Sequence, residues 1–319
     1  MLSRRQLRMK VLQALYGFFK SDNDRMDLGE KQLFVGINKL YELCFWQLAM
    51  ILEVIDFAAV RIEENKRKHF PTEEDLNPNT KLIENSFIKM LRENRDFQRK
   101  VEAYKIFWGE ESEMIRKIYM KIKDSNDYDL YMNSGNNSFD EDKEYIIKMF
   151  KKQIAKIDSL RHYYEDQSIY WTDDYHAVSS LVVKIINSFS ENSDEFHVIP
   201  TIIKDEKEKL CEDKDFVKQL FRKTILNSDK YEKLITEKTV NWEFERIASM
   251  DILILKMALA ELFEFTSIPV KVTLNEYIEL AKYYSTPKSS VFVNGILDKL
   301  IAELTESKEI KKSGRGLMQ

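Results

Sequence analysis

Residues 252–262 read ILILKMALAEL, and nearly every position in this segment is apolar. Helices on the surface of a globular protein keep one polar face, whereas a helix that is apolar all round is buried. We therefore expect this segment to form the central helix of a bundle. Pro269 disfavours helical geometry in the residue before it, so a second helix is predicted to begin after a break there.

Turn-forming residues are scarce across the whole chain. Its 319 residues include only 8 Gly and 5 Pro, which leaves few turns for a sheet protein. Apolar residues make up 44% and charged residues 33%, which suits a soluble globular protein with ample core material. Leu, Ile, Glu and Lys dominate, and the runs between Gly or Pro are long, so the composition favours helices. We predict an all-α protein with room for two domains, or for one domain with a large insertion.

Apolar residues recur at helical spacing along most of the chain. The predicted helices span residues 3–20, 31–65, 81–93, 95–106, 109–124, 140–165, 172–190, 213–227, 228–239, 242–265, 270–284 and 288–305. Ser3 is the predicted N-cap of the first helix. Segments 132–139 and 191–202 are predicted to be a loop and a linker.

Charge and cysteine content exclude several classes of protein. The net charge of −4 at pH 7 excludes a wholly basic nucleic-acid coat but allows a local basic patch. Cys44 and Cys211 lie too far apart for a metal or redox motif, which fits a reducing cytoplasm. No apolar signal core is seen, and no stretch reaches the roughly 18 apolar residues of a membrane span. We expect a cytoplasmic protein with no membrane partner.

The sequence contains no motif that marks catalysis or metal binding. A phosphate loop, a dinucleotide fingerprint, a nucleophile elbow and a zinc motif are all absent. The 4 histidines have no partner at ligand spacing. Carboxylates interleave with lysines, as they do on solvated helix faces. We predict a protein that is not an enzyme and that uses no cofactor and no metal.

The first predicted helix begins with cations. Arg4, Arg5, Arg8 and Lys10 all precede the first acidic residue of the chain. Because a helix N-terminus favours anions, cations placed there indicate an anionic partner, and guanidinium groups bind phosphate and stack on bases. We expect these arginines to flank the buried stripe and to stay exposed. The predicted stripe consists of Leu7, Val11, Ala14 and Phe18. An ordinary solvated basic N-terminus is the alternative.

The last predicted helices contain further distinctive residues. Asn275 and Glu276 are expected in the first turn of their helix, where Asn caps and Glu suits the dipole. Gly295 falls inside the last helix, where Gly costs up to about 1 kcal/mol relative to Ala. A close approach of another helix is the expected reason for Gly295.

Motifs at both ends of the chain resemble those of the NusB family of transcription antitermination factors. They are SRRQLRMKVLQALY (3–16), ALAEL (258–262), IPVKVTLNEYIELAK (268–282) and FVNGILDK (292–299). The resemblance covers residues 1–20 and about 205–305. It implies a helical bundle of NusB type, with two small helical subdomains and here an additional helical insertion. The implied parts are an Arg-rich N-terminal helix (1–20), an insertion of unknown role (21–204), a NusB-like core (205–305) and a disordered tail (306–319).

The resemblance also implies a function. NusB proteins bind boxA RNA together with NusE, a ribosomal protein of the small subunit, and help assemble an antitermination complex on RNA polymerase during ribosomal RNA synthesis. The residues that match RNA contacts are Arg4, Arg5 and Arg8, with Gln13 and Phe292 near the RNA. Tyr16 and Asp251 match the NusE contact. Gln6 stands where many relatives have an arginine, and Lys288 is predicted to compensate as an RNA contact.

Several of these assignments have a structural alternative. Phe292 can be a core residue, Tyr16 can cover the helix face, and Asp251 can support its own helix. The chain can also be a protein-interaction scaffold with a vestigial RNA face, or an RNA-modifying enzyme or its subunit, which would need a pocket with convergent polar groups. The main hypothesis predicts one continuous cationic face built from the opening arginines and the FVNG element. RNA affinity should then fall steeply with salt.

Overall fold

A computed structural model of the chain describes residues 2–21, 24–203, 212–239 and 247–317, except the side chain of His176. The regular structure of these residues is helical and includes no β-strand, so the predicted all-α fold is confirmed. The chain divides into two compact units. We call Leu2–Ile37 with Ile203–Gln319 the terminal unit, and Asn38–Ile202 the middle unit.

The described residues form α-helices along most of the chain. In chain order they are α1 (Arg4–Lys20), α2 (Met26–Lys66), α3 (Glu73–Leu76), α4 (Ser86–Glu93), α5 (Arg95–Ala103), α6 (Ser112–Lys123), α7 (Asn126–Met132), α8 (Phe139–Met149), α9 (Asp158–Gln167), α10 (Tyr175–Ser188), α11 (Glu212–Leu226), α12 (Ser228–Lys238), α13 (Ser249–Glu264), α14 (Val270–Tyr284) and α15 (Ser289–Glu306). A π-helical turn spans Phe150–Ile154, and 3₁₀ turns span Ile169–Trp171 and Gly314–Leu317.

Helix α13 is the centre of the terminal unit, as its apolar sequence predicts. All residues from 253 to 262 are buried, including Lys256 and Glu261. Helices α1, α11, α12, α14 and α15 all pack against α13. The predicted helix 242–265 began earlier, but its first residues lie outside the described part of the chain. The polar side chains that α13 buries must therefore find partners on the surrounding helices.

Caps explain where two helices of the terminal unit begin. The Ser3 hydroxyl accepts the N–H of Gln6, and the Gln6 side chain accepts the N–H of Ser3, so the predicted cap of α1 is confirmed as a capping box. Pro269 occupies the N-cap position of α14, and the predicted break before this helix is confirmed. The expected place of Asn275 and Glu276 in the first turn is wrong, because α14 already begins at Val270.

Helix α2 is long and strongly apolar. An 18-residue window within it has a mean hydropathy of 1.8, which by length and composition alone would suffice to cross a membrane. Within the protein, 61% of that window is buried. The core helix of a globular protein shows the same two properties, and this burial accounts for the apolar sequence.

The middle unit is built around aromatic side chains. The rings of Trp46 and Trp108 lie 5.1 Å apart between centroids, and Tyr164 packs edge-on against Trp108 at 5.8 Å. Helix α8 contacts α4, α7 and α10. This unit therefore has a core of its own. The residues of that core lie outside the motifs that resemble the NusB family.

One predicted helix of the middle unit is broken. The sequence predicts a continuous helix at 140–165, but α8 ends at Met149 and α9 begins at Asp158. Between them, the N–H of Ala155 donates to the Phe150 carbonyl at 2.8 Å and closes the π-helical turn. The segment contains no Gly or Pro, so its sequence gave no sign of the break. Helix α7 was also missing from the prediction.

The limits of the units differ from the predicted insertion at 21–204. The first part of α2 belongs to the terminal unit, because the carboxylate of Glu30 pairs with Arg222 at 2.5 Å and with Lys218 at 3.3 Å, and Leu33 is buried. The compact unit inserted between the ends of the terminal unit therefore begins at Asn38.

The segment after α15 also differs from the predicted disordered tail. The N–H of Ser313 donates to the Thr266 carbonyl at 3.0 Å, and Lys312 Nζ donates to the Phe265 carbonyl at 3.0 Å. A Cβ at Gly316 would lie 1.9 Å from the Thr266 oxygen, so only glycine permits this approach. These backbone contacts leave no periodic signal in the sequence, and they place the tail against the α13–α14 loop.

Candidate functional site

Arg8 and Glu261 form a buried ion pair between α1 and α13. Two guanidinium nitrogens of Arg8 donate to the two carboxylate oxygens of Glu261, each at 2.7 Å. The side chains are 3% and 0% exposed. Thr273 Oγ1 and the Tyr277 hydroxyl also donate to Glu261, at 2.9 and 3.2 Å. Hydrogen bonds thus satisfy a charge that would otherwise be costly to bury.

The expectation that the Arg8 guanidinium stays exposed is wrong. Arg8 lies four residues before Leu12 and seven before Leu15, and this helical spacing puts it on the buried face of α1. Burial opposes the charged form, but the hydrogen bonds and negative charge of Glu261 outweigh it and raise the pKa of Arg8 above its ordinary value. Arg8 therefore fixes α1 to α13 and has no surface to offer RNA.

Arg5 is held by α14 but remains 41% exposed. Its Nε and Nη2 donate to the carboxylate of Glu276 at 3.0 and 2.8 Å, and Nη1 lies 3.8 Å from Glu279. The hydrogen bond to Glu276 raises the pKa of Arg5. A bidentate pair of this kind fixes the plane of the guanidinium group.

Arg4 is held by α11 in a similar way. Its Nε lies 3.3 Å from Asp213, and its Nη2 lies 3.7 Å from Glu212. Its guanidinium carbon also lies 4.5 Å from the centroid of the Phe216 ring, within cation–π range. The side chain is 39% exposed.

These contacts rule out the continuous cationic face that the sequence suggested. Three arginines at the start of α1 meet five carboxylates: Glu212, Asp213, Glu261, Glu276 and Glu279. Since the carboxylates come from α11, α13 and α14, they are more than 200 residues from the arginines in sequence. The net charge of the surface around α1 therefore could not be predicted from the sequence of the first helix alone.

Further along α1, Gln13 connects to the end of α14. Its Nε2 donates to the Tyr284 hydroxyl at 3.1 Å, and its Oε1 accepts from Lys10 Nζ at 3.0 Å. Gln13 is partly buried, whereas Lys10 is buried. With Arg5, Gln13 therefore forms a second polar connection between α1 and α14.

Lys288 and Phe292 lie at the start of α15. Lys288 is exposed and immediately precedes the helix, and its carbonyl accepts the N–H of Phe292 at 3.2 Å. Phe292 is half-buried, so part of its ring faces solvent. Lys288 was predicted to compensate for Gln6, which stands where many relatives have an arginine. The side chain of Gln6 takes part in the capping box of α1.

A groove of about 400 Å³ separates the end of α1 from the start of α13. Tyr16 and Phe19, which are 40% and 42% exposed, line it from α1. Ile252, Leu253 and Lys256 line the opposite side. The walls are largely apolar and aromatic, as in surfaces that bind proteins.

Asp251 is buried rather than part of this groove. Its Oδ2 accepts the hydroxyl of Ser289 at 2.8 Å, and so connects α13 to the first residue of α15. Of the two interpretations of Asp251, support for its own helix is the one that these contacts favour.

Comparison with known proteins identifies the family. A model of the NusB family matches residues 176–302. A transcription antitermination protein NusB from Dictyoglomus turgidum is 38% identical over 97 residues, which are 30% of this chain and 67% of that protein. This chain belongs to the NusB family. Proteins of the same name from Salinibacter ruber and Chloroherpeton thalassium are each 42% identical over 105 residues, or 33% of this chain.

The matched parts of these relatives are incomplete. The chain spans 66% of the length of the Salinibacter ruber protein and 50% of that of Chloroherpeton thalassium. No solved structure matches this chain. The NusB family range includes Glu261 and Glu276 but not α1.

The sequence interpretation missed the residues that organise this NusB site. Glu261 lies in the ALAEL motif, and Glu276 lies in the IPVKVTLNEYIELAK motif. An acidic residue on a helix that is otherwise buried signals a partner cation, and this signal was available for Glu261. The expected helix approach at Gly295 is wrong, because a Cβ there would meet nothing within 4 Å.

Proposed function

We propose that this protein binds single-stranded RNA and acts in transcription antitermination. One observation carries the proposal: carboxylates of two NusB motifs, Glu261 and Glu276, hold the N-terminal arginines Arg8 and Arg5. The motifs of both chain ends therefore build one site. The relatives named transcription antitermination protein NusB supply the process.

The mechanism is binding without bond chemistry. Arg4 and Arg5 are partly exposed while carboxylates fix their orientation, so their guanidinium planes can receive unstacked bases and their remaining N–H groups can bind phosphate. Phe292 offers a partly exposed ring, and Lys288 an exposed charge. The proposed RNA is boxA-like, and the proposed setting is the antitermination complex on RNA polymerase in the cytoplasm.

The paired arginines change the expected salt dependence. Affinity falls with salt in proportion to the phosphates that cations neutralise. Because carboxylates already neutralise Arg4 and Arg5, we now expect a shallow slope in place of a steep one. Titration of a boxA-like RNA at several salt concentrations measures this slope directly.

The decisive variant is Arg5→Ala in the full chain. Loss of one base-stacking contact costs about 1–3 kcal/mol, so RNA affinity should fall about fivefold or more at fixed salt. Arg116→Ala is the matched control, since Arg116 is also paired with a carboxylate, Glu113, and is 53% exposed in the middle unit. Equal affinities of Arg5→Ala and Arg116→Ala would contradict the proposed RNA site. Arg8→Glu is unsuitable, because it would bury a carboxylate beside Glu261.

The groove beside Tyr16 is the proposed docking site for NusE. Its exposed rings are the kind of side chain that dominates protein interfaces. Tyr16→Ala should weaken binding of NusE about tenfold while the chain alone binds RNA as before. A pull-down with NusE, scored beside an RNA titration, separates the two sites; loss of both activities would argue against separate sites.

The alternative is a protein-interaction scaffold with a vestigial RNA face. The five carboxylates around the arginines favour it, because they oppose a polyanion. In that case the chain binds NusE tightly, and boxA-like RNA adds nothing to the stability of the complex. Measuring NusE affinity with and without RNA decides between the two functions.

A further inference from the structure

A second cationic site lies entirely within the middle unit. A pocket of about 420 Å³ lies where the π-helical turn meets α9 and α10. Three cations line it: Lys151, Lys156 and Arg161. Its volume falls in the range of small-molecule sites, about 300–1,000 Å³. None of these residues entered the proposed function.

The charges of this pocket are not balanced. Among the described residues, Lys151 and Lys156 have no ion pair, and both are exposed. Arg161 is paired at 3.4 Å with Glu165, and the pocket itself contains one carboxylate, Asp158. Neighbouring lysines behave differently, since Lys148 and Lys152 both pair with Asp127 at 2.7 and 2.8 Å. The pocket therefore keeps a local excess of positive charge.

The backbone around the pocket also favours an anion. Helix α9 begins at Asp158, and its N-cap Ile157 makes no side-chain hydrogen bond to the first turn. N–H groups at the start of a helix, together with the helix dipole, attract anions. Lys151 reaches the pocket from the π-helical turn, a distortion that often occurs at functional sites.

Buried polar groups beside the pocket lack partners. Arg161 Nε is buried and makes no hydrogen bond among the described residues, although it lies 3.4 Å from the Glu165 carboxylate in their ion pair. Gln47 is 1% exposed, and its Nε2 also has none. The Oε1 of the same amide accepts from the hydroxyl of Ser179, which lines the pocket together with Ser180. Arg161 Nε therefore keeps hydrogen-bonding capacity beside the pocket, and Gln47 holds the Ser179 hydroxyl at its wall.

We propose that this pocket binds a dianionic phosphate group, either free or as the phosphomonoester of a small molecule. A phosphomonoester carries a charge of about −1.5 to −2 at neutral pH, which suits a pocket where two unpaired lysines and Arg161 outnumber the carboxylates of Asp158 and Glu165. Arg161 supplies a planar fork for phosphate oxygens, and the two lysines supply point charges. The side chains of Ala155 and Ile157 complete the wall and leave room for an organic portion.

The test is a calorimetric titration of the full chain at constant ionic strength. Inorganic phosphate, AMP and adenosine are the probes. Phosphate and AMP should bind and adenosine should not, and their relative affinities show whether free phosphate or a phosphomonoester is preferred. The double variant Lys151→Gln/Lys156→Gln should lower the affinity for the tighter probe at least about tenfold, since it removes two charge-assisted contacts to the phosphate.

A matched control removes the same charge nearby. Lys148→Gln/Lys152→Gln changes two lysines that pair with Asp127 and do not line the pocket, so its affinity should stay within about twofold of the unaltered chain. Equal losses in both double variants would overturn the proposal. The proposal would also be overturned if phosphate and AMP showed no saturable binding. This includes the case in which the pocket variant lowers only the affinity for single-stranded RNA. That result would make the surface an RNA contact.

Discussion

The cations of α1 and those of the middle-unit pocket look alike in sequence but differ in their surroundings. Arg4, Arg5 and Arg8 are each paired with carboxylates from distant helices, and Arg8 is buried with its partner. Lys151 and Lys156 face a pocket and have no ion pair in the described chain. A basic cluster can therefore hold a fold together or be free to bind a ligand. Which of the two it does depends on whether carboxylates far away in sequence pair with its cations.

The largest effect should come from Arg8→Met. It leaves the Glu261 carboxylate buried without its cation, and breaking a buried pair in this way costs about 3–5 kcal/mol. Urea unfolding followed by circular dichroism measures the loss. Arg116→Ala, which breaks a pair screened by solvent, should leave the unfolding free energy nearly unchanged. A similar loss in both variants would mean that Arg8 is no more structural than a surface arginine.

A double variant sharpens this result. Arg8→Met/Glu261→Leu removes both charges and replaces them with apolar side chains, so it should recover most of the stability lost in Arg8→Met. Thr273 and Tyr277 lose their acceptor, which limits the recovery. The coupling between the two substitutions follows from a double-mutant cycle in the same assay. Additive losses would show that the two residues do not act as a pair.

Arg5→Ala should have a smaller effect on stability. Its pair with Glu276 is part-exposed, so water and salt screen the attraction, and we expect a loss of about 1 kcal/mol or less. RNA affinity, in contrast, should respond strongly to this substitution. If stability drops as far as in Arg8→Met, Arg5 belongs to the core and not to the binding surface.

The smallest effect on stability is expected for Lys151→Gln/Lys156→Gln. Neither lysine has an ion pair to lose in the described chain, and removing neighbouring like charges relieves repulsion, so unfolding free energy should change by about 0.5 kcal/mol or less. Thermal unfolding without added phosphate gives this value. A large loss would show that these lysines support the fold, and would erase the contrast with the cations of α1.

Much of the fold followed from local rules. The apolar run within α13, the break at Pro269 and the Ser3 cap each depend on neighbouring residues, and the structure confirms all three. The interruption after α8 did not follow from local rules, because the π-helical turn there contains no Gly or Pro. Periodicity alone gives no information about such a turn.

The candidate site was harder to predict than the fold. Sequence patterns located Arg5, Gln13 and Tyr16 on one helix, but exposure depends on packing partners that appear only in three dimensions. Arg8 illustrates this, since its spacing to Leu12 already placed it on the buried face, yet its charge suggested the surface. The deciding partner, Glu261, lies 253 residues away.

The Arg8–Glu261 pair has a consequence for how this lineage can vary. A chain that loses either residue alone passes through an unstable intermediate, because the remaining charge stays enclosed. Substitution at one position is therefore tolerated only after, or together with, a change at the other. In relatives that share this packing, the arginine and the glutamate should both be present or both be replaced. An alignment of sequences is enough to check this correlation.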